Sequence, residues 1–432
     1  KQGDMSNLRK YEVEKLMNDG NFCIAPWVHI QNTPEGVPQP CCIFKPNIID
    51  GHTPRKLNDA FHGKEWNELR QRFLRGEQIS ECDTCYNKEW LSRNDEKDLN
   101  TATLLENISF REHLNEMWKE DAVDLINNPE IRDIDLAISN KCNFKCVDCG
   151  VDRSSAWHTE EYELDKIIPR VGANVASFAR VIKPDTGEPL IDSFEYADVD
   201  WSRVRTIRCI GGEPMIDRRY HEILERIEID KAHIIIVTNG SIPPTKAWTE
   251  KLDRAEKILI MFSIDGIDEV GEYVRYGLKM KRFTRNLEKW IDYVANHRNP
   301  DSKFRYHYVA HAMNMFDIQK TYDYLNQFER IKDNCGHFDL SFLHRPEYLN
   351  SAYFPRKTKE WILNRIKGEL YEERVRLHFS SNEYNPEHID NFFKFSDFIE
   401  KNRRPLPEQI EEVYFKLMED HARERPKETI TT

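Results

Sequence analysis

Six stretches of the chain are apolar or alternate apolar with polar residues and then stop at Gly, Asn, Ser or a turn: Ile131 to Asn140, Val204 to Ile210, His233 to Val237, Lys257 to Ile264, Lys303 to Met313 and Phe338 to His344. Alternation at period two is the mark of a strand with distinguishable faces, and short apolar runs suit strands covered on one side by helices. Between them, Arg218 to Ile229, Pro244 to Ala255, Phe283 to His297 and Ile318 to Ile331 carry apolar residues at helical spacing. Strand, helix, strand in repeated order predicts an α/β fold, a parallel sheet joined by crossover helices. Two stretches fall outside this alternation. Residues 151–203 form an insertion containing the turn-rich KPDTGEP, Lys183 to Pro189, expected to act as a lid or a substrate wall. From Arg356 onward the pattern is helical and charged, broken at Pro405 and Pro407.

The same alternation assigns faces. Ser263 and Asp265 share the face of Met261, whereas Ile260, Phe262 and Ile264 are expected to pack against helices. Asp135, Arg208, Asp339 and Ser341 fall on faces that point inward. A buried Arg208 requires a carboxylate, either Asp135 or one on a substrate; the alternative is a purely structural ion pair. Cys209 follows the face of Ile207, where packing is expected, although a thiol there is also a candidate hydrogen donor. His307 and His311 alternate along their strand as candidate relays or as locally satisfied polar residues.

Composition narrows the class. The 432 residues suggest more than one domain, and 39% hydrophobic residues are enough for a sizeable core. With 32% charged residues, a net charge of −12 and no long apolar run, neither a membrane span nor a nucleic-acid surface is expected. KQGDMSNLRK has no apolar core of a signal peptide, so the cytoplasm is the expected location.

In a reducing compartment, ten cysteines point to metal rather than disulfides. Cys142, Cys146 and Cys149 are spaced C-x3-C-x2-C, directly after the first strand. Three thiolates at that spacing can hold three irons of a 4Fe-4S cluster and leave the fourth open. A second group lies earlier. Cys23 is followed by Gly36, then Cys41 and Cys42, and later by the C-x2-C pair Cys82 and Cys85. Gly36 suits a tight turn between two short strands that brings Cys23 and Cys41 together. Cys23, Cys41, Cys82 and Cys85 can complete a fully ligated cluster or a structural zinc site, with Cys42 spare. Cys335 is read as inert.

SNKCNFKCVDCG (139–150), IRCIGGEP (207–214), VTNG (237–240) and SIDG (263–266), in this order and at predicted strand ends, resemble the radical S-adenosylmethionine (SAM) superfamily. Residues 21–95 resemble the twitch domain, a shortened SPASM domain with one auxiliary iron-sulfur cluster, here ahead of the barrel rather than behind it. The resemblance implies a partial (β/α)6 barrel with an N-terminal twitch domain and a helical C-terminal extension, divided 1–125, 126–350 and 351–432. It implies SAM bound at the open iron, reductive cleavage to a 5'-deoxyadenosyl radical, and hydrogen abstraction from a substrate carbon. Gly211, Gly212, Glu213, Asn239, Ser263, Asp265 and Asn314 are then the expected SAM contacts. Where most members carry an aromatic residue before the last cysteine, this chain has Asp148, which leaves the adenine contact unassigned. Ser154 to Trp157, SSAW, is similar to the sequence of twitch-containing members.

A flavodoxin or ferredoxin is the expected electron donor, and a peptide or a small metabolite the expected substrate. An RNA-modifying member of the family and a non-enzymatic iron-sulfur or zinc scaffold are the competing readings. The scaffold gives no reason for GGEP and SIDG.

Overall fold

The computed structural model describes residues 8–34, 36–42, 44, 56–83, 85–86, 110–168, 198–328 and 337–425. Cys335, the KPDTGEP segment and residues 35, 43, 45–55, 84 and 87–95 of the twitch resemblance lie outside these. All six expected strands form, most of them trimmed at one end or both, whereas β6 runs one residue further and β10 begins one residue earlier than expected: β3 (Asp133–Ala137), β5 (Thr206–Ile210), β6 (His233–Thr238), β7 (Lys257–Ser263), β9 (Lys303–Ala310) and β10 (His337–Phe342). They pair in parallel in the order β10-β9-β7-β6-β5-β3. Trimming has local causes. After Ala310 the side chain of Asn314 accepts the His311 N–H at 2.7 Å, closing a turn that takes the chain out of the expected strand 303–313.

Alternation does what the sequence implies. In β9, Phe304, Tyr306, Tyr308 and Ala310 are buried under helices, and Lys303, Arg305, His307 and Val309 face the inner hollow. The helix Met280–Ala295 buries Phe283, Leu287, Trp290, Ile291 and Val294 along one stripe. Each such side chain contributes about 1.5–3 kcal/mol on leaving water. The Trp290 indole donates to the Ile242 carbonyl at 2.9 Å, so its one polar atom is satisfied. The other expected crossover helices are shorter, Arg219–Leu224, Lys246–Leu252 and Ile318–Leu325.

The sheet has two more members. β1 (His29–Asn32) lies parallel to β3, with His29 opposite Asp133 and Gln31 opposite Asp135. β2 (Pro38–Gln39) turns back antiparallel to β1, with Gly36 at φ 78° in the connection, a conformation glycine adopts without a Cβ penalty. The N-terminal region thus joins the barrel's β3 edge through a strand the sequence did not announce as part of the sheet. It also keeps its own core, with Val13, Phe22, Trp27, Leu69, Phe73, Leu114 and Trp118 packed together. β10 is the opposite edge, so the described sheet is a partial, open barrel.

Four C-terminal helices, Arg356–Arg365, Glu372–Ser380, Pro386–Asn402 and Glu408–Glu424, cover the β10 side, with Tyr348 packed at a tilt against Phe395 and Phe316 edge-on against Trp361. Among the described residues no helix is long and apolar enough to cross a membrane.

Candidate active site

Parallel strands of an α/β sheet carry their sites at the carboxyl ends, where loops diverge. Here a cavity of about 240 Å³ opens at the ends of β5, β6, β7 and β9 and is roofed by the loop after β3. Cys142, Cys146 and Cys149 all line it, with Gly211, Gly212, Asn239, Ser263, Asp265 and His307.

The cysteine loop is fixed by its own backbone and by neighbours. Asn140 donates to the Val151 carbonyl at 2.7 Å, Ser154 to the Phe144 carbonyl at 2.5 Å, and the Trp157 indole to the Cys146 carbonyl at 2.9 Å. Within the loop β4 (Lys145–Cys146) pairs antiparallel with β8 (Arg275–Tyr276). The Sγ atoms of Cys146 and Cys149 and a carboxylate oxygen of Asp148 lie within 4.8 Å of one another. Burial, and then the nearby Cys146, push the Cys142 thiol up to about 12. A hydrogen bond with Cys146, and then burial, carry Cys149 well above the ordinary thiol range. These thiols stay protonated unless a cation compensates their charge.

Gly211 and Gly212 were expected to leave room for a ligand. Their nearest neighbours are instead the chain's own backbone. A Cβ on Gly211 would meet the Ser139 carbonyl oxygen at 2.7 Å, and one on Gly212 the Lys141 carbonyl oxygen at 2.2 Å. Two glycines let the end of β5 pass directly beneath the cysteine loop.

Glu213 is buried, and its carboxylate accepts from Met215 N at 3.1 Å, Thr238 Oγ1 at 2.8 Å and Asn239 N at 2.7 Å. It ties the end of β5 to the end of β6 and does not line the cavity. Burial nevertheless raises its pKa, with those hydrogen bonds opposing. Asn239 lines the cavity and donates to Asn143 Oδ1 at 2.9 Å.

Asp265 is 1% exposed, accepting from Arg275 Nη1 at 2.5 Å and from Val309 N at 2.8 Å. Asp148 faces the same pair. Burial first, and the Asp265 charge second, push its carboxyl up to about 6, Arg275 opposing. Asn314 stands behind this group rather than in the cavity: its amide donates to the carbonyls of Asp265 at 3.0 Å and Val309 at 2.9 Å.

Beneath the cavity the lumen is polar on two walls. Arg208 is paired with Asp135 on neighbouring strands. Arg305 and Asp339 face each other at 3.9 Å, and His307 Nε2 lies 3.1 Å from Ser341 Oγ. His29, brought in on β1, sits 3.1 Å from Asp133 and 3.9 Å from Asp135. Cys209 does not reach this space. It is wholly buried, on the strand face opposite Arg208, where packing was expected.

Of the earlier cysteines, Cys23, Cys41 and Cys85 are buried and Cys82 is half-buried, whereas Cys42 is exposed. Cys23 and Cys41 belong to one core against which Cys82 packs. Burial, then Cys23 and Cys85, raise the Cys82 thiol, which places these three as neighbours. Cys42 has Asp135, Arg208 and Cys85 around it, between the early cysteines and the lumen.

Arg275, Arg153, Ser154 and Thr238 line the cavity although the sequence did not single them out as ligand contacts. Arg275 lies 126 positions after Cys149 on a two-residue strand, and only the pairing of that strand with β4 brings it in.

Residues 136–325 match the model of the Radical SAM superfamily. A protein of Methanococcus maripaludis strain C7 named "Probable GTP 3',8-cyclase" is 27% identical over 164 residues, covering 38% of this chain and 46% of that protein. Its counterpart in strain C6 is 26% identical over the same shares. The chain therefore spans about half the length of the curated relatives it matches. Among solved structures, native anSMEcpe with bound AdoMet and Cp18Cys peptide is similar over 56% of this chain and 60% of its own, with a TM-score of 0.32 and 16% identity. Streptococcus suis SuiB is similar over 75% and 65%, with a TM-score of 0.32 and 14% identity.

Proposed function

We propose, from the match of residues 136–325 to the Radical SAM superfamily model, that the protein is a radical SAM enzyme holding a 4Fe-4S cluster on Cys142, Cys146 and Cys149. The observation that carries this is the convergence of all three thiols with Gly211 and Gly212 of GGEP, Asn239 of VTNG, and Ser263 and Asp265 of SIDG on one cavity. The donor set fits the group. Soft sulfur ligands suit iron-sulfur clusters, and the thiols of Cys142 and Cys149, kept neutral by their surroundings, need the charge of a metal to ionise. Such a cluster, with SAM on its open iron, supplies a 5'-deoxyadenosyl radical that takes hydrogen from an unactivated carbon.

The remaining residues hold and shield. Gly211 and Gly212 bring the β5 backbone to the cavity, and Asn239, Ser263 and Asp265 offer polar contacts to SAM. Glu213 lies outside the cavity lining and would reach the SAM ammonium only by giving up the bond it now accepts from Asn239 N. Asn314 fixes Asp265 from behind. Substrate enters the lumen below, between the Asp135–Arg208 and Arg305–Asp339 walls, with His307 at the boundary. Close confinement there keeps the radical from reacting with water or the chain.

Cys23, Cys41, Cys82 and Cys85 hold an auxiliary iron-sulfur cluster in a twitch-like region that takes up the substrate electron or orders the site. A flavodoxin or ferredoxin in the reducing cytoplasm supplies the electron for SAM cleavage. The substrate is a peptide or a small metabolite; 27% identity to a named cyclase over 38% of the chain supports the chemistry and not the substrate. Anaerobic protein reconstituted with iron and sulfide, then given dithionite and SAM, is expected to form 5'-deoxyadenosine. No product from wild type, or equal product from Cys146→Ala, would refute the assignment.

A further inference from the structure

The C-terminal extension reaches the cysteine loop through one side chain. Arg403 follows the helix Pro386–Asn402, and its side chain is 1% exposed. Its Nε donates to Glu160 Oε2 at 2.9 Å and its Nη1 to the Lys145 carbonyl at 2.7 Å. The guanidinium lies 4.3 Å above the Trp157 ring and 5.2 Å from that of Tyr276. Trp157 in turn donates to the Cys146 carbonyl at 2.9 Å. Arg403 and the indole it braces therefore hold two consecutive carbonyls of β4, one of them on a cysteine of the triad. Arg275 and Tyr276 hold the other side of that strand.

The charges do not cancel. Glu160 also pairs with Lys145, so one carboxylate faces two cations beside Cys146. Arg403 Nη2 is buried without a hydrogen-bond partner among the described residues. A guanidinium kept in such a place is costly to stability and an apolar side chain would pack there more cheaply. A surplus positive charge next to a thiolate-bound cluster has a use, because reduction adds a negative charge that it stabilises.

We infer that Arg403 is a positioning residue of the cluster loop whose charge favours the reduced cluster. This rests on the assignment of Cys142, Cys146 and Cys149 as ligands. The test is a redox titration followed by electron paramagnetic resonance, with iron counted per chain, on reconstituted wild type, Arg403→Met, Arg403→Lys, Glu160→Gln and Cys146→Ser. At a fixed solution potential, the ratio of reduced to oxidised cluster read from the SAM-responsive signal in Arg403→Met is expected to fall about tenfold, what a lost attraction of ~1.4 kcal/mol gives. Arg403→Lys keeps the charge and is expected to titrate near wild type with less iron, because the fork to Lys145 and Glu160 is gone. Glu160→Gln removes the opposing charge and shifts the reduced fraction upward, so the sign of the effect is read even if Arg403→Met folds poorly. Wild-type titration of both Arg403→Met and Glu160→Gln, or Arg403→Lys shifting as far as Arg403→Met, would overturn the inference. A signal unchanged in Cys146→Ser would overturn the ligand assignment itself.

Discussion

Gly212→Ala tests how closely the β5 turn is fitted to the cysteine loop. A Cβ at this position would lie 2.2 Å from the Lys141 carbonyl oxygen, 2.5 Å from its carbon and 2.7 Å from the Asn140 carbonyl carbon, against 3.4 Å or more for ordinary contact. Backbone would have to move by about 1 Å, and it is backbone held on several sides. Lys141 O accepts from Glu213 N at 2.8 Å, Ser139 O from Gly212 N at 3.0 Å, and Asn140 is anchored to Val151. The next residue is Cys142. Overpacking of this kind costs about 1–3 kcal/mol, here at the upper end because no flexible side chain can give way. For a domain of about 200 residues, at roughly 2–4 °C per kcal/mol, a cost of about 3 kcal/mol is a Tm lower by roughly 6–12 °C. Thermal unfolding followed by circular dichroism, together with iron per chain after reconstitution, is the assay. Iron bound at the triad is expected to fall along with the Tm. Gly20, where a Cβ meets nothing within 4 Å, is the control, and Gly20→Ala should stay within about 0.5 kcal/mol of wild type. A Gly212→Ala protein with wild-type Tm and full iron would show that the turn and the loop are not coupled as described.

Other consequences are as direct. His311 is buried, its Nδ1 accepts from Met313 N at 3.2 Å, and burial lowers its pKa to about 4. The unfolded chain takes up a proton near pH 6.5 that the folded one refuses until about pH 4, so stability falls as pH drops through that window, by on the order of 3 kcal/mol for this group. Urea unfolding from pH 7 to 4 should show a flatter profile in His311→Gln, and an identical profile would refute it. Cys209→Ala should leave 5'-deoxyadenosine formation unchanged while costing roughly 1–2 kcal/mol in urea unfolding, and a selective loss of product would bring Cys209 back as a donor. Cys82→Ala should lower the iron content of reconstituted protein from about eight per chain to about four, and an unchanged count would remove the auxiliary cluster.

What the sequence carried and what it did not follow from the physics of each signal. Alternation in Lys303–Ala310 and Lys257–Ser263 gave faces as well as strands, because each residue there is either under a helix or toward the lumen. The cysteine loop was legible because its three cysteines fall within a span of eight residues. β1 was not read as a sheet strand. His29 to Asn32 is short, lies next to a helical turn at Ala25–Val28, and is buried on both faces, so no alternation announces it. Arg275 and Arg403 were invisible for another reason. Their roles come from pairings across 126 and more positions, and nothing in their local sequence differs from that of a surface arginine. The glycines of GGEP were legible as a demand for close approach, although not that the approaching group is Lys141.

The open iron is the claim on which the rest stands. Electron-nuclear double resonance on the reduced protein with SAM labelled at its amino nitrogen with ¹⁵N observes it directly. The account predicts a coupling between that nitrogen and the cluster, present in wild type and lost in Cys142→Ala. A reduced cluster whose spectrum shows no such coupling with SAM bound would contradict it.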